Sequence, residues 1–145
     1  IKDYHTTDNF VLGGDMKFCE LARNVIQSGN VMNKNFIMTD IKSASLFKYM
    51  MNSYLATKVT FMNEFKKLAD SEEVDWHGIK ELSRHDYRIG TTHMDVPGPD
   101  GEYGWGGACF PKDIAAIQME ALDLNTELEL LGRVEDINKK HRKLS

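Results

Sequence analysis

The alternation of apolar and polar positions changes character several times along the chain. Asn9-Phe10-Val11-Leu12-Gly13 is a short apolar run closed by Gly13-Gly14, which reads as a buried strand. Asp15 follows in a capping position, and Phe18, Leu21, Val25 and Ile26 then recur on one face up to about Gly29, which predicts a helix. Phe36-Ile37-Met38 is a second brief strand candidate. The strand, helix, strand order up to Thr39 belongs to the edge of an α/β domain, and the segment is too short to close such a sheet alone.

From the capping pair Thr39-Asp40 the pattern switches. No Pro or Gly interrupts Ile41 to Ala69, so one helix about 43 Å long is expected at about 1.5 Å per residue. Leu46, Phe47, Met50, Met51, Tyr54, Leu55, Val59, Phe61, Met62, Phe65 and Leu68 cover most of its circumference, as in a helix packed on several sides. Lys48 and Asn52 interrupt that surface one turn apart. Further helices are predicted from about Asp75 to Ser83, Lys112 to Leu122 and Glu127 to Arg142. The stretch from Arg84 to Pro111, with more than half of the eleven glycines, reads as loop. The expected fold is therefore mainly α: a helical domain built on one long helix over residues 40–145, preceded by a β-α-β piece over residues 1–39.

Composition narrows the function classes. The 145 residues are 41% hydrophobic and 28% charged with three prolines, which is a packed globular chain of one-domain length. A net charge of -4 argues against non-specific binding to nucleic acid or to an anionic membrane. No apolar run approaches the roughly 20 residues of a membrane-spanning helix. Ile1-Lys2-Asp3-Tyr4 carries neither an initiator Met nor a signal-peptide pattern, so a piece of a longer chain is expected. Cys19 and Cys109 cannot build a disulfide framework, which points to a reducing cytoplasm. His5, His77, His85, His93 and His141 show no metal-ligand spacing, and no metal is expected.

The chemistry concentrates in Gly104-Trp105-Gly106-Gly107-Ala108-Cys109-Phe110-Pro111-Lys112-Asp113. Gly106 and Gly107 allow close backbone approach to a ligand, and Pro111 suits a first helical turn. Cys109 then stands just before a helix N-terminus, where the helix dipole and Lys112 favour a thiolate and so a nucleophile. Cys19, inside an amphipathic helix, reads instead as a small buried hydrophobe. Lys48 and Asn52 form a pair of donors suited to an oxyanion. By themselves they read equally well as a snorkelling lysine and a surface amide. Asp113, in a first helical turn, is favoured there by the dipole whatever else it does.

Lys48-Tyr49-Met50-Met51-Asn52, Phe61-Met62-Asn63-Glu64, Tyr87-Arg88-Ile89-Gly90 and Gly106-Gly107-Ala108-Cys109-Phe110-Pro111-Lys112-Asp113 occur in this order in the UDP-glucose and GDP-mannose dehydrogenase family. From about Asn9 onward the chain resembles the middle, all-helical domain of such an enzyme, preceded by the last β-α-β piece of its NAD-binding domain. Neither the GxGxxG fingerprint nor the C-terminal nucleotide-sugar domain is present.

The resemblance implies oxidation of a nucleotide-sugar C6 alcohol to a carboxylate in two NAD-dependent steps, most readily UDP-glucose to UDP-glucuronate. In that scheme Cys109 forms a thiohemiacetal and then a thioester, Lys48 and Asn52 hold the C6 oxygen, and Asp113 orients or deprotonates water or the alcohol. The loop from about Asp100 to Gly107, with Tyr103, Gly104, Trp105, Gly106 and Gly107 as substrate contacts, closes the sugar pocket. Arg88 matches an arginine donated by the neighbouring subunit; its plainer reading is a surface ion pair with Asp86 or another carboxylate. Lys112 approaches the NAD side, and the long helix forms a homodimer core.

Two departures from the family pattern stand out. The loop Met94 to Tyr103 is longer than in many members, and Ser45 replaces a common glutamate. The residues present are expected to be inactive alone. The alternatives are a GDP-mannose 6-dehydrogenase, a non-catalytic dimerisation module, and a cysteine hydrolase pairing Cys109 with His93.

Overall fold

Three helices start where an aspartate, Asp15, Asp40 or Asp75, accepts from their unpaired amides, and the computed structural model describes residues 8–29 and 34–143. His5 and the segment Ile1 to Tyr4 lie outside the described residues. The elements run β1 (Asn9–Gly13), α1 (Met16–Ser28), β2 (Asn35–Thr39), α2 (Ile41–Ser71), α3 (Trp76–Arg84), α4 (Phe110–Asp123) and α5 (Glu129–Arg142). The fold is mainly helical with a small parallel β-α-β element, as the hydrophobic pattern predicts. The chain divides into two compact units, Ile1–Met50 and Met51–Ser145.

In the first unit β1 and β2 pair in parallel, in register from Asn9 opposite Asn35 to Gly13 opposite Thr39. Phe10 stacks on its cross-strand partner Phe36 with ring centroids 5.4 Å apart. Gly13 is required by close approach, because a Cβ there would fall on the side chain of Ala44. Cys19 is 4% exposed and its thiol donates to Leu12 O at 3.6 Å, so it is the buried small residue that its helical position predicts. Phe18, Leu21 and Val25 are exposed instead.

The second unit is built on α2 from Met51 onward, with α3, α4 and α5. Ala56, Trp105, Ile114, Leu131 and Val134 form one buried cluster, and Met62, Ala69, Trp76, Met94 and Val96 form another. Trp105 in the first and Met94 and Val96 in the second come from the long loop between α3 and α4, so that loop is part of the core. Helix α3 is capped by Asp75, whose carboxylate accepts from the amides of His77 and Gly78, both at 3.0 Å. Helix α4 ends where Asn125 takes a left-handed conformation, φ 53°. No helix among the described residues is long and apolar enough to cross a membrane.

Candidate active site

Cys109 is the residue immediately before α4, at φ -90° and ψ -58°, with Pro111 in the first turn behind it. Its thiol is exposed and free, whereas that of Cys19 is buried. Its carbonyl accepts from the amide of Asp113 at 2.9 Å, so the two residues stand one helical turn apart on the same face. The helix start expected at Lys112 lies at Phe110, because Pro111 needs no amide partner in a first turn and extends the helix toward the cysteine.

Asp113 is 2% exposed, yet both carboxylate oxygens are satisfied. Oδ2 accepts from Asn52 Nδ2 at 2.5 Å and Oδ1 from Lys112 Nζ at 2.6 Å. Buried carboxylates persist only with such partners. The bond to Asn52 spans 61 positions of sequence and joins two of the predicted residues, and it fixes the amide of Asn52 with its NH2 toward the carboxylate. Lys112 remains largely exposed. Lys48 belongs to the first unit, one turn before Asn52 in the sequence of α2, and its Nζ lies 5.2 Å from the centroid of the Tyr49 ring.

The glycine-rich loop is held from beneath by residues that sequence reasoning did not assign to it. Asn138 Oδ1 accepts from Trp105 N at 2.7 Å and its Nδ2 donates to Trp105 O at 2.9 Å. Asn63 Oδ1 accepts from Gly104 N at 2.9 Å, and the Trp105 indole N–H donates to Thr60 Oγ1 at 3.0 Å. Arg142 donates from Nε to Trp105 O at 3.0 Å and from its terminal nitrogen to Asp100 Oδ2 at 2.8 Å. That guanidinium holds the Asp100 carboxyl below its ordinary range. A side chain at Gly104, φ 70°, would strike Asn138, and one at Gly106 would strike Arg142. These glycines are required by the loop's own packing. Tyr103 and Trp105 turn inward onto the two core clusters, which leaves Gly107, Ala108 and Cys109 as the exposed lip.

Arg88 sits on the turn after α3 in an exposed fork with Asp86, with Nε to Oδ1 at 2.8 Å and a terminal nitrogen to Oδ2 at 2.5 Å. This pairing lowers the carboxyl of Asp86 and raises the guanidinium of Arg88. His93 packs its ring on Phe110 at 5.8 Å. Burial, with help from the charge of Lys58, pushes the His93 imidazole down. No hydrogen bond joins that ring to Cys109 among the described residues. No cluster of three metal-ligating side chains occurs among them either.

The signal that could have found Thr60 and Asn63 is their position as polar residues inside the apolar circumference of α2. Asn138 and Arg142, on a largely polar α5, carry no such mark.

A search of sequence families matches residues 42–140 to the UDP-glucose/GDP-mannose dehydrogenase family, central domain. The chain belongs to that family. Within the UDP-glucose/GDP-mannose dehydrogenases it is similar to the UDP-glucose 6-dehydrogenase of Rickettsia bellii, 37% identical over 121 residues, covering 81% of this chain and 26% of the relative. It is 34% identical to the UDP-glucose 6-dehydrogenase of Rickettsia conorii, over 96% of this chain and 31% of the relative. A UDP-glucose dehydrogenase structure from the hyperthermophilic archaeon Pyrobaculum islandicum superposes with a TM-score of 0.76 at 27% identity, over 96% of this chain and 31% of that one. The chain thus spans less than a third of the length of these dehydrogenases.

The family implies NAD in the full-length enzyme, and the described residues of the first unit do not form a cradle for its pyrophosphate. Both strand-to-helix turns among the described residues end in an aspartate that already occupies the helix start. Asp15 accepts from Lys17 N at 2.9 Å, and Asp40 accepts from Ser43 N at 2.9 Å and Ser43 Oγ at 2.6 Å. Negative charge at those amides excludes a phosphate from them.

Proposed function

We propose that the chain is the catalytic centre-bearing part of a nucleotide-sugar 6-dehydrogenase that converts UDP-glucose to UDP-glucuronate. The observation that carries this reading is the exposed Cys109 at the start of α4, one turn from a buried Asp113 that is bonded to Asn52. In this proposal residues 1–39 are the edge of the NAD-binding domain, and residues 40–145 form the helical domain with the nucleophile. NAD, held by chain outside these residues, supplies the hydride acceptor.

The chemistry follows from the groups present. The Cys109 sulfur adds to the carbonyl carbon of the C6 aldehyde, and the oxygen takes up a proton to give a thiohemiacetal. Asn52, with Lys48 one turn earlier on the resemblance, donates to that oxygen as charge grows on it. Each oxidation, of the alcohol to the aldehyde beforehand and of the thiohemiacetal to a thioester now, removes a hydride from C6, for which NAD would be the acceptor, and a proton from the C6 oxygen. Water oriented by Asp113 then adds to it, and the thiolate leaves with release of the carboxylate. Both oxidations thereby proceed without a free aldehyde.

The lip from Gly107 to Cys109 faces the sugar, with Tyr103, Gly104, Trp105 and Gly106 anchoring it, and Arg88 serves the pocket of a neighbouring subunit. Lys112 lies on the cofactor side. Met51, Tyr54, Phe61, Phe65 and Leu68, large and exposed along α2, supply the surface for a homodimer. A cytoplasmic setting accords with two free thiols.

The full-length chain supplied with UDP-glucose and NAD is expected to form two NADH per sugar oxidised, with no aldehyde released. Faster turnover of GDP-mannose would replace the substrate. A chain that dimerises but oxidises neither sugar would favour the dimerisation module.

A further inference from the structure

Lys58, in the middle of α2, is a buried cation that the proposed chemistry does not use. It is 8% exposed, and burial pushes its ammonium below the usual lysine value with no opposing carboxylate. An ammonium withdrawn from water requires strong acceptors. Here they are two backbone carbonyls, Ile89 O at 2.9 Å and Gly90 O at 3.3 Å, from a segment 31 and 32 positions away.

Those carbonyls end the turn that carries Arg88. Its beginning is tied by Asp86, whose carboxylate accepts from Arg88 N at 3.0 Å and whose carbonyl accepts from Ile89 N at 3.1 Å. At its end Gly90 takes a left-handed conformation, φ 70°, with open space where a Cβ would stand. Gly90 offers no side chain to pack there, so the hydrogen bonds that join that end to α2 are those from the ammonium of Lys58, beside Ile89 in the groove along the helix. Lys58 and Arg88 also line the same shallow groove of about 260 Å³, beside Tyr54 and Phe61.

We propose that Lys58 is a positioning residue for Arg88: by pinning the two carbonyls that follow the arginine, it fixes where the guanidinium is presented to an anionic nucleotide sugar. This rests on the reading of Arg88 as a substrate-binding residue. A lysine suits the task because its three donors can serve two carbonyls at once, and a neutral side chain of the same length serves neither.

The test uses the full-length enzyme with Lys58→Met, Lys58→Arg, Arg88→Ala and the Lys58→Met/Arg88→Ala double variant. Arg88→Ala is expected to raise KM for UDP-glucose roughly ten- to hundredfold, the loss of a charged hydrogen bond. Lys58→Met should raise it roughly tenfold by misplacement alone, with kcat little changed. In the double variant KM should match that of Arg88→Ala, because an arginine already absent cannot be misplaced. Lys58→Arg should restore KM most of the way. Amide hydrogen exchange across residues 86–92 should quicken in Lys58→Met, independently of activity.

Unchanged exchange in that segment, or a Lys58→Met factor that multiplies fully onto Arg88→Ala, would overturn the proposal while leaving the arginine's role intact. An unchanged KM in Arg88→Ala would overturn the reading of the arginine and the proposal with it. If Lys58→Met does not fold, Lys58→Gln, whose shorter side chain carries its amide donors short of the two carbonyls, is measured in its place and should raise KM and quicken exchange in the same direction by a smaller factor.

Discussion

Full-length enzyme with Cys109→Ser is expected to lose about four orders of magnitude or more in turnover, the scale seen when a covalent nucleophile is removed. The serine hydroxyl is far less nucleophilic at neutral pH, and no general base among the described residues is bonded to position 109 to activate it. The fold should survive. The Cys109 side chain is exposed and makes no capping hydrogen bond, so its replacement leaves no buried group unpaired. Melting temperature and dimer content should therefore match the parent while NADH formation disappears. Cys19→Ser reverses the pattern: the residue is buried beside β1, so stability falls and chemistry remains.

Asp113→Asn is the second large effect. The amide has the shape of the carboxylate but only one accepting oxygen, while both carboxylate oxygens now accept, from Asn52 and from Lys112. The rotamer that keeps an oxygen toward Asn52 costs least, because Lys112 is exposed and can turn to water. Stability should fall by only about 1 kcal/mol on that account. Turnover should fall by roughly a hundred- to a thousandfold, since the charge that orients water or draws a proton is gone. Parallel measurement of kcat and thermal unfolding separates the two. A variant that unfolds readily yet retains normal kcat would make Asp113 a structural carboxylate only.

The strands were legible because Gly13-Gly14 and Asp15 mark the end of one element and the start of the next. The long helix was legible because nothing between Ile41 and Ser71 breaks it. Cys109 at a helix start could be read from Pro111, whose missing amide fits a first turn. The union of Asn52 with Asp113 could not, since it depends on how α4 meets α2 across 61 residues of sequence. The same holds for Asn138 and Arg142, whose partners are backbone groups of a loop more than thirty positions away. Backbone acceptors leave no trace in sequence pattern, and Lys58, bonded to two of them, carries no mark either. The exposure of Phe18, Leu21 and Val25 was hidden for the opposite reason: periodicity shows that a helix has an apolar face, but not how much of it two short strands can cover.

The central claim is that the sugar becomes covalently bonded to Cys109 during oxidation. The most direct measurement mixes the full-length enzyme, parent and Asp113→Asn, with UDP-glucose and NAD, quenches in acid within the first turnovers, and weighs the peptide that contains Cys109. That peptide is predicted to gain the mass of an oxidised nucleotide sugar held as a thioester, most abundantly in Asp113→Asn, where hydrolysis is slowed. Turnover with the Cys109 peptide unmodified throughout and free aldehyde in solution would contradict the account.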